Sequence, residues 1–281
     1  MLMKIRFAKQ TDKDAILAFT KDTWDGYDYI HHVIDHWLSD EEGELLVAEH
    51  EGRAVALART THLGDGIYWL EGLRVAKEAR QLGIGKMIAR AQLESLKKLK
   101  PVKIRLSTYY LNHSIPIIEQ MGFIRIGEFL ALYCDISDKA SGYRPTVEII
   151  KGDASACLAY LKEKGLGCGM IGMDWVFKGV SASILAECQS RGDLYHIEGD
   201  YFVLTTQHAK DNILSLVVFS TGHLKEIVAF AIDKALLSHR EGIHIMSDDE
   251  QIIHALKKEG FSSEGDVNRD TFVYELSGEP L

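Results

Sequence analysis

Residues 3–135 and 145–281 spell nearly the same order of secondary-structure signals twice, and this repetition limits the possible folds more than any other feature. In the first stretch, "KIRFAKQ" alternates as a strand, and "TDKDAILAFTKDTW" reads as a helix capped by Thr11, with Asp14 in the capping-box position. Ile30, Val33, Ile34 and Trp37 follow at i, i+3, i+4 and i+7, the spacing of one helix face. Apolar runs on either side of Glu51-Gly52 predict a hairpin. "GIYWLEGLRV" is a strand, "IGKMIARAQLESLKKL" a helix, "VKIRLSTYY" a strand, "SIPIIEQM" a short helix and "RIGEFLALYCD" a closing strand. After the polar "SDKASGYRP", with the makings of a linker, the programme returns. It runs from a strand at "TVEIIKG" through helices at "ASACLAYLKEK" and "VSASILAECQS", the hairpin "LYHIEGDYFVLTT" and the strand "ILSLVVFS". A helix at "HLKEIVAFAIDKALLSH", the strand "GIHIMS" and the helix "EQIIHALKKEGF" complete it. Gly122-Phe123 and Gly260-Phe261 fall at matching places. The reading is an internal duplication of an α/β unit (α+β, mixed sheet), with domains 1–138 and 145–281. Two unrelated α/β halves are the alternative.

Composition removes several classes. With 46% hydrophobic and 26% charged residues over 281 positions, the chain has the balance of a globular protein. No apolar run reaches the length of a membrane span, and the start turns polar within a few residues, so a cytoplasmic location is expected. A net charge of −9 argues against a nucleic-acid partner and suits a cationic substrate such as an amine. Cys134, Cys157, Cys168 and Cys188 form no CxxC pair and are expected to be reduced structural thiols. His32 and His36 have metal-ligand spacing, but no third ligand is in view; a solvated helix face is expected, and no metal.

The chemical signal is "RVAKEARQLGIGKMIARAQLE", a glycine-rich loop entering a helix. As a P-loop it fails at two positions, because Arg80 stands where glycine is required and Met87 where Ser or Thr is required. As a dinucleotide loop it lacks the third glycine, which Ile88 replaces. The pattern Arg-x-x-Gly-x-Gly is complete in Arg80, Gly83 and Gly85. Two glycines let the backbone approach a pyrophosphate, the first helical amides point at it, and Arg80 and Lys86 add positive charge.

In this context the chain resembles the GNAT superfamily of acetyl-CoA-dependent N-acyltransferases. "LRVAKEARQLGIG" is similar to its coenzyme-binding motif A and "NHSIPIIEQMGF" to its motif B, so the resemblance covers about residues 3–135. It implies the acyl-CoA N-acyltransferase fold, tandem in this chain, with acetyl-CoA as cosubstrate. It places the exposed backbone of Leu73, Arg74 and Val75 against the coenzyme arm, and the loop Arg80, Gln81, Leu82, Gly83, Ile84, Gly85 and Lys86 around the pyrophosphate. Asn112, with Ser114 beside it in motif B, falls at the asparagine that commonly contacts the arm; a strand-end turn is the other reading of Asn112. "WDGYDYIHHVIDHWL" resembles, over a short stretch, a GNAT branch that includes histidine N-acetyltransferases. This sets Asp25, Asp28 and Tyr29 on the acceptor side, against the alternative of helix-capping acids and a half-buried aromatic.

Transfer of an acetyl group to nitrogen requires a deprotonated amine, a stabilised carbonyl oxygen and a thiolate able to leave. Glu71, an acid within the apolar strand "YWLEGLRV", is the candidate base, since burial lifts a carboxyl group toward neutral-pH chemistry. A structural partnership with a buried arginine or hydroxyl is the competing role. The tyrosine that the family often carries in motif B is replaced by Glu119; Tyr109, Tyr110 and Tyr133 are the substitutes in reach, Tyr110 and Tyr133 being the assigned candidates, unless the thiolate leaves unaided.

In the second half, "LSLVVFSTGHLKEIV" runs from strand into helix with no Arg-x-x-Gly-x-Gly. "GLGCGMIG" carries spaced glycines after a helix and is read as a flexible loop. One active site is therefore expected, in the N-terminal half, with a degenerate copy behind it. The favoured function is N-acetylation of a small amine or amino acid by a monomer or homodimer. The alternatives are a coenzyme-binding regulator and a modifier of protein N-termini or lysines.

Overall fold

A computed structural model describes residues 3–26, 28–137, 147–167, 169–209 and 211–277, with no side-chain description at 24 and 25. Residues 138–146, which take in all of the expected linker "SDKASGYRP" but Ser137, and Cys168 lie outside the described residues. The chain divides into two compact units, one of Met1–Leu106, Asn112–Ile126 and Tyr274–Leu281, the other of Ser107–Leu111 and Gly127–Val273.

The first unit follows the predicted order: β1 (Lys4–Phe7), α1 (Lys13–Thr20), α2 (Ile30–Ser39), β2 (Glu44–His50), β3 (Arg53–His62), β4 (Ile67–Val75), α3 (Ile84–Lys97), β5 (Lys103–Tyr109), α4 (Ile115–Gln120) and the start of β6 (Ile124–Asp135). Strands β1 to β4 are antiparallel neighbours in chain order, and β5 pairs with β4 in parallel. The β2–β3 turn sits on Glu51 and Gly52, both with positive φ, the geometry of a type I′ hairpin. Leu45, Val47 and Leu57 pack with Ile16, Ile30, Ile34 and Trp37 of the first two helices. Leu46, Ala48, Ala56 and Ala58 pack with Ile84 and Ile88 of α3. Helices on both sheet faces explain why "LLVA" and "AVALA" are continuous apolar runs with no alternation. The α1 cap differs from the expected one. The chain enters through a 3-10 turn (Gln10–Asp12) in which Asp12 accepts from the Lys9 amide at 2.7 Å, and Thr11 is exposed. Asp12 wins because it also pairs with Arg6 at 2.7 Å, a partner from β1 that local spacing does not reveal.

The second unit contains β7 (Ile150–Lys151), α5 (Ala154–Glu163), β8 (Met170–Met173), β9 (Val176–Gly179), α6 (Ala182–Arg191), β10 (Leu194–Ile197), β11 (Asp200–Thr205), β12 (Ile213–Val218), α7 (Leu224–Leu237), β13 (Gly242–Ser247), α8 (Glu250–Lys258) and much of β14 (Thr271–Ser277). Its strands run β6-β13-β12-β11-β10-β7, with β12 and β13 parallel and the other pairs antiparallel. The β10–β11 turn, Glu198-Gly199, repeats the two positive φ values of Glu51-Gly52. Phe123 and Phe261 are buried and donate their amides five residues back, to Ile118 and Leu256, after a glycine with φ near +90°. These matched details are the physical content of the repetition. Strands β8, β9 and β14 have no counterpart among the elements expected from the sequence. The "GLGCGMIG" stretch is correspondingly not all loop, since Met170–Gly172 lie in β8 with Ile171 buried. Four-residue strands containing glycine carry too little pattern to be seen alone. The described cysteines are buried, and burial pushes Cys157 up to about 12 and Cys188 up to about 11.

Candidate active site

Strands β4 and β5 pair only through Ile67–Lys103, Tyr68–Ile104 and Trp69–Arg105. Beyond this three-rung zipper, the remainder of β4 has no β5 partner, so its outer backbone edge is left for another chain or ligand. The same stretch is re-aimed by a bulge. Leu57 opposes Arg74 and Arg59 opposes Glu71, so Ala58 alone faces both Gly72 and Leu73. Gly72 has φ +68°, and a Cβ there would lie 2.7 Å from the Trp37 ring. Only glycine fits under that indole. Leu73, just past the bulge, is 37% exposed.

A 3-10 turn (Lys77–Ala79) links β4 to α3. Gln81 at φ +65° and Gly83 at φ +76° turn the backbone left-handed before the helix, the alternation that gathers amides into an anion-binding nest. The first helical bond runs from the Met87 amide to the Gly83 carbonyl at 3.0 Å, so the amides of Ile84, Gly85 and Lys86 precede any helical acceptor. A Cβ on Gly83 would meet nothing within 4 Å, and one on Gly85 only Val75 at 3.6 Å. The cradle is open to an anion, and these residues fit a pyrophosphate. Arg80 folds back, its Nε donating to the Val75 carbonyl at 3.2 Å, while Lys86 reaches Gln120 at 3.4 Å. A cleft of about 660 Å³ lies beside the loop, lined by Phe19, Asp22, His50, Arg53, Lys77 and Arg80 among others, but it includes neither Gly83 nor Glu71.

Glu71 is half-buried and accepts from the Thr61 hydroxyl at 2.6 Å. Thr61 in turn lies 3.3 Å from Arg59 Nε. Because a guanidinium only donates, the threonine oxygen must accept there, which aims its proton at Glu71. Arg59 is 1% exposed, ion-paired to Asp40 and 3.4 Å from the Trp37 carbonyl. The sequence offered a hydroxyl or an arginine as Glu71's structural partner; the structure supplies both in a directed chain.

The other expected residues are distributed as follows. Asp28 is 3% exposed, and both its oxygens are taken by Arg74, at 2.8 and 3.1 Å. Tyr29 lies under the same guanidinium, 5.4 Å from its ring centre. Burial opposes the Arg74 charge, but Asp28 and Tyr29 together outweigh it and raise the guanidinium above its ordinary value. Asp28 thus locks the start of α2 to β4. The Asp25 side chain lies outside the described residues. Asn112 closes an Asx turn onto the Ser114 amide at 2.9 Å, the turn role allowed for it, and Ser114 stands at the N-terminal boundary of α4 with no side-chain cap bond. Tyr110 and Tyr133 belong to the second unit, whereas Glu71 belongs to the first. The Tyr133 hydroxyl packs on Gly242 and lies 3.4 Å from the Glu241 carbonyl; burial and then Asp135 raise it above the usual phenol range, so it is a poor proton donor. Glu119 accepts from Tyr274 at 3.0 Å, so a phenol does arrive at the expected tyrosine position, carried by the last strand. No local signal links positions so far apart.

In the second unit the β12–α7 turn takes a different form. A Cβ on Gly222 would lie 2.7 Å from Asp200, whose carboxylate is held by His223 at 2.7 Å and Tyr160 at 2.8 Å. An acid occupies the corner where the first unit opens a cradle, and like charge repels an anion there.

Comparison with known proteins agrees with this geometry. Residues 12–123 match the Acetyltransferase (GNAT) family. Histidine N-acetyltransferase of Oreochromis niloticus is 31% identical over 100 residues, covering 35% of this chain and 30% of that protein. The chain thus spans about a third of the length of the curated relative it matches. Among solved structures, a GCN5-related N-acetyltransferase from Sphaerobacter thermophilus aligns over 99% of this chain and 96% of its own, with TM-score 0.67 and 12% identity. A tandem GNAT protein from the clavulanic acid biosynthesis pathway aligns over 100% of both chains, with TM-score 0.59 and 12% identity. These last two likenesses concern the fold.

Proposed function

We propose that this chain, whose residues 12–123 match the GNAT family, is an acetyl-CoA-dependent N-acetyltransferase acting on the primary amine of a small molecule or amino acid in a ternary complex. The observation that carries the reading is the β4 edge freed past Trp69, with Glu71 beside the Gly72 bulge and the open cradle at Gly83 downstream. Acetyl-CoA, when bound, supplies an activated thioester. The β4 backbone at Leu73, Arg74 and Val75 holds its arm, and the loop from Arg80 to Lys86 holds the pyrophosphate, with Asn112 and Ser114 near the arm. Glu71, held by Thr61, takes the proton from the acceptor ammonium, since only the free amine carries the attacking lone pair. Amides at the bulge favour the carbonyl oxygen as charge develops on it. Residues 1–138 carry the active site, and 145–281 form a degenerate copy whose Asp200 corner refuses pyrophosphate. The histidine N-acetyltransferase relative makes an amino acid the favoured acceptor.

Calorimetric titration tests this. Acetyl-CoA is expected to bind with one site per chain, and Gly83→Glu to abolish binding by placing a bulky anion in the cradle. Absence of binding, or binding indifferent to Gly83→Glu, refutes the proposal.

A further inference from the structure

Arg105 is 6% exposed, its Nε donates to Glu275 at 2.7 Å, and its Nη1 is buried with no hydrogen-bond partner among the described residues. A buried guanidinium nitrogen left unmade is unfavourable and needs an explanation. Its place in the fold supplies one. Arg105 opposes Trp69 on the last rung of the β4–β5 zipper, two residues short of Glu71. Paired residues share a sheet face and alternate residues return to it, so Arg105, Trp69 and Glu71 lie on one face, with Thr61 and Arg59 opposite the latter two. Two residues of strand rise and one strand spacing put Arg105 and Glu71 about 8 Å apart at the backbone. Lys103 at 3.0 Å and Arg105 at 2.7 Å both pair with the single carboxylate of Glu275, so two cations share one acid there.

We propose that Arg105 anchors the carboxylate of the acceptor, so that the substrate is an α-amino acid, held with its ammonium at Glu71 and its carboxylate on the guanidinium. This rests on the N-acetyltransferase reading above. A carboxylate ligand satisfies the orphaned nitrogen and matches the planar fork of arginine, which an ammonium group does not provide. It also discriminates, because an amine without the carboxylate leaves the buried donor unmade.

The test pairs amino acids with their decarboxylated counterparts: L-histidine with histamine, and L-phenylalanine with phenethylamine. The wild-type protein is expected to prefer the carboxylate-bearing member of each pair. Arg105→Gln should raise KM for the amino acid on the order of 30-fold, leaving KM for the amine and the affinity for acetyl-CoA unchanged. Glu275 keeps Lys103 as a partner in this variant, and Arg105→Lys, which preserves the charge but not the fork, covers any loss of folding. Titration of L-histidine and L-phenylalanine into the protein with coenzyme A gives a second readout independent of turnover, with the same loss expected in Arg105→Gln. Equal preference for amine and amino acid, equal loss of both in the variants, or no saturable amino-acid binding overturns the assignment. Absence of acetyl-CoA binding instead refutes the acetyltransferase reading, and the titration with amino acids then still decides on Arg105.

Discussion

Gly72→Ala perturbs the bulge that re-aims β4, and its cost divides into two parts. The residue sits at φ +68°, where an L side chain costs about 1–2 kcal/mol. The new methyl would also lie 2.7 Å from two atoms of Trp37, which is 4% exposed and has no room to retreat. Overpacking of this kind costs about 1–3 kcal/mol. The sum, about 2–5 kcal/mol, is a large share of ordinary domain stability. Gly52→Ala isolates the backbone part, because Gly52 has φ +79° and a Cβ there meets nothing within 4 Å. Urea unfolding of both variants, followed by tryptophan fluorescence and circular dichroism, should give Gly72→Ala the greater loss by about 1–3 kcal/mol. Acetyl-CoA affinity should fall in Gly72→Ala and not in Gly52→Ala. Equal destabilisation by the two substitutions would refute the claim that the indole enforces glycine at the bulge.

Two further outcomes test the candidate site and the Asp200 corner of the second unit. Thr61→Val removes the donor that fixes Glu71, so steady-state kcat is expected to fall about 10-fold with acetyl-CoA affinity intact, and Thr61→Ser should restore it; an unchanged kcat rejects the positioning role. In the second unit, hydrogen bonding to Asp200 raises His223 above its ordinary value of 6.5 against the opposing effect of burial. Burial also works against the Asp200 charge, but His223, Ser220 and Tyr160 outweigh it and hold the carboxyl below 3.8. The pair therefore stabilises fully between these ordinary values, losing the histidine contribution as pH rises through its elevated pKa and the aspartate contribution as pH falls through its depressed one. Thermal melts across pH 6 to 9 should show a steeper decline for wild type than for His223→Gln, and parallel curves would reject the coupling.

Legibility in the sequence tracked the range of the interaction. The hairpins at Glu51-Gly52 and Glu198-Gly199, the cradle at Gly83 and Gly85, and the Gly-Phe helix ends are decided within five residues, by φ preference and hydrogen bonds between near neighbours. The sequence therefore determined most of the elements and their order, β8, β9 and β14 excepted, and where the glycine turn opens before α3. What it left undecided was who partners whom across the sheet. The Asp28–Arg74 lock spans 46 residues, Tyr274–Glu119 spans 155 and Arg105–Glu275 spans 170. Such pairs depend on strand register and topology, which place distant residues side by side without leaving a spacing to read. Asp28, seen alone, suited an amine; only the tertiary structure committed it to Arg74 and gave Glu71 its threonine. For the same reason the final strand, silent as a pattern, became the element that brings Tyr274 and Glu275 to the first unit.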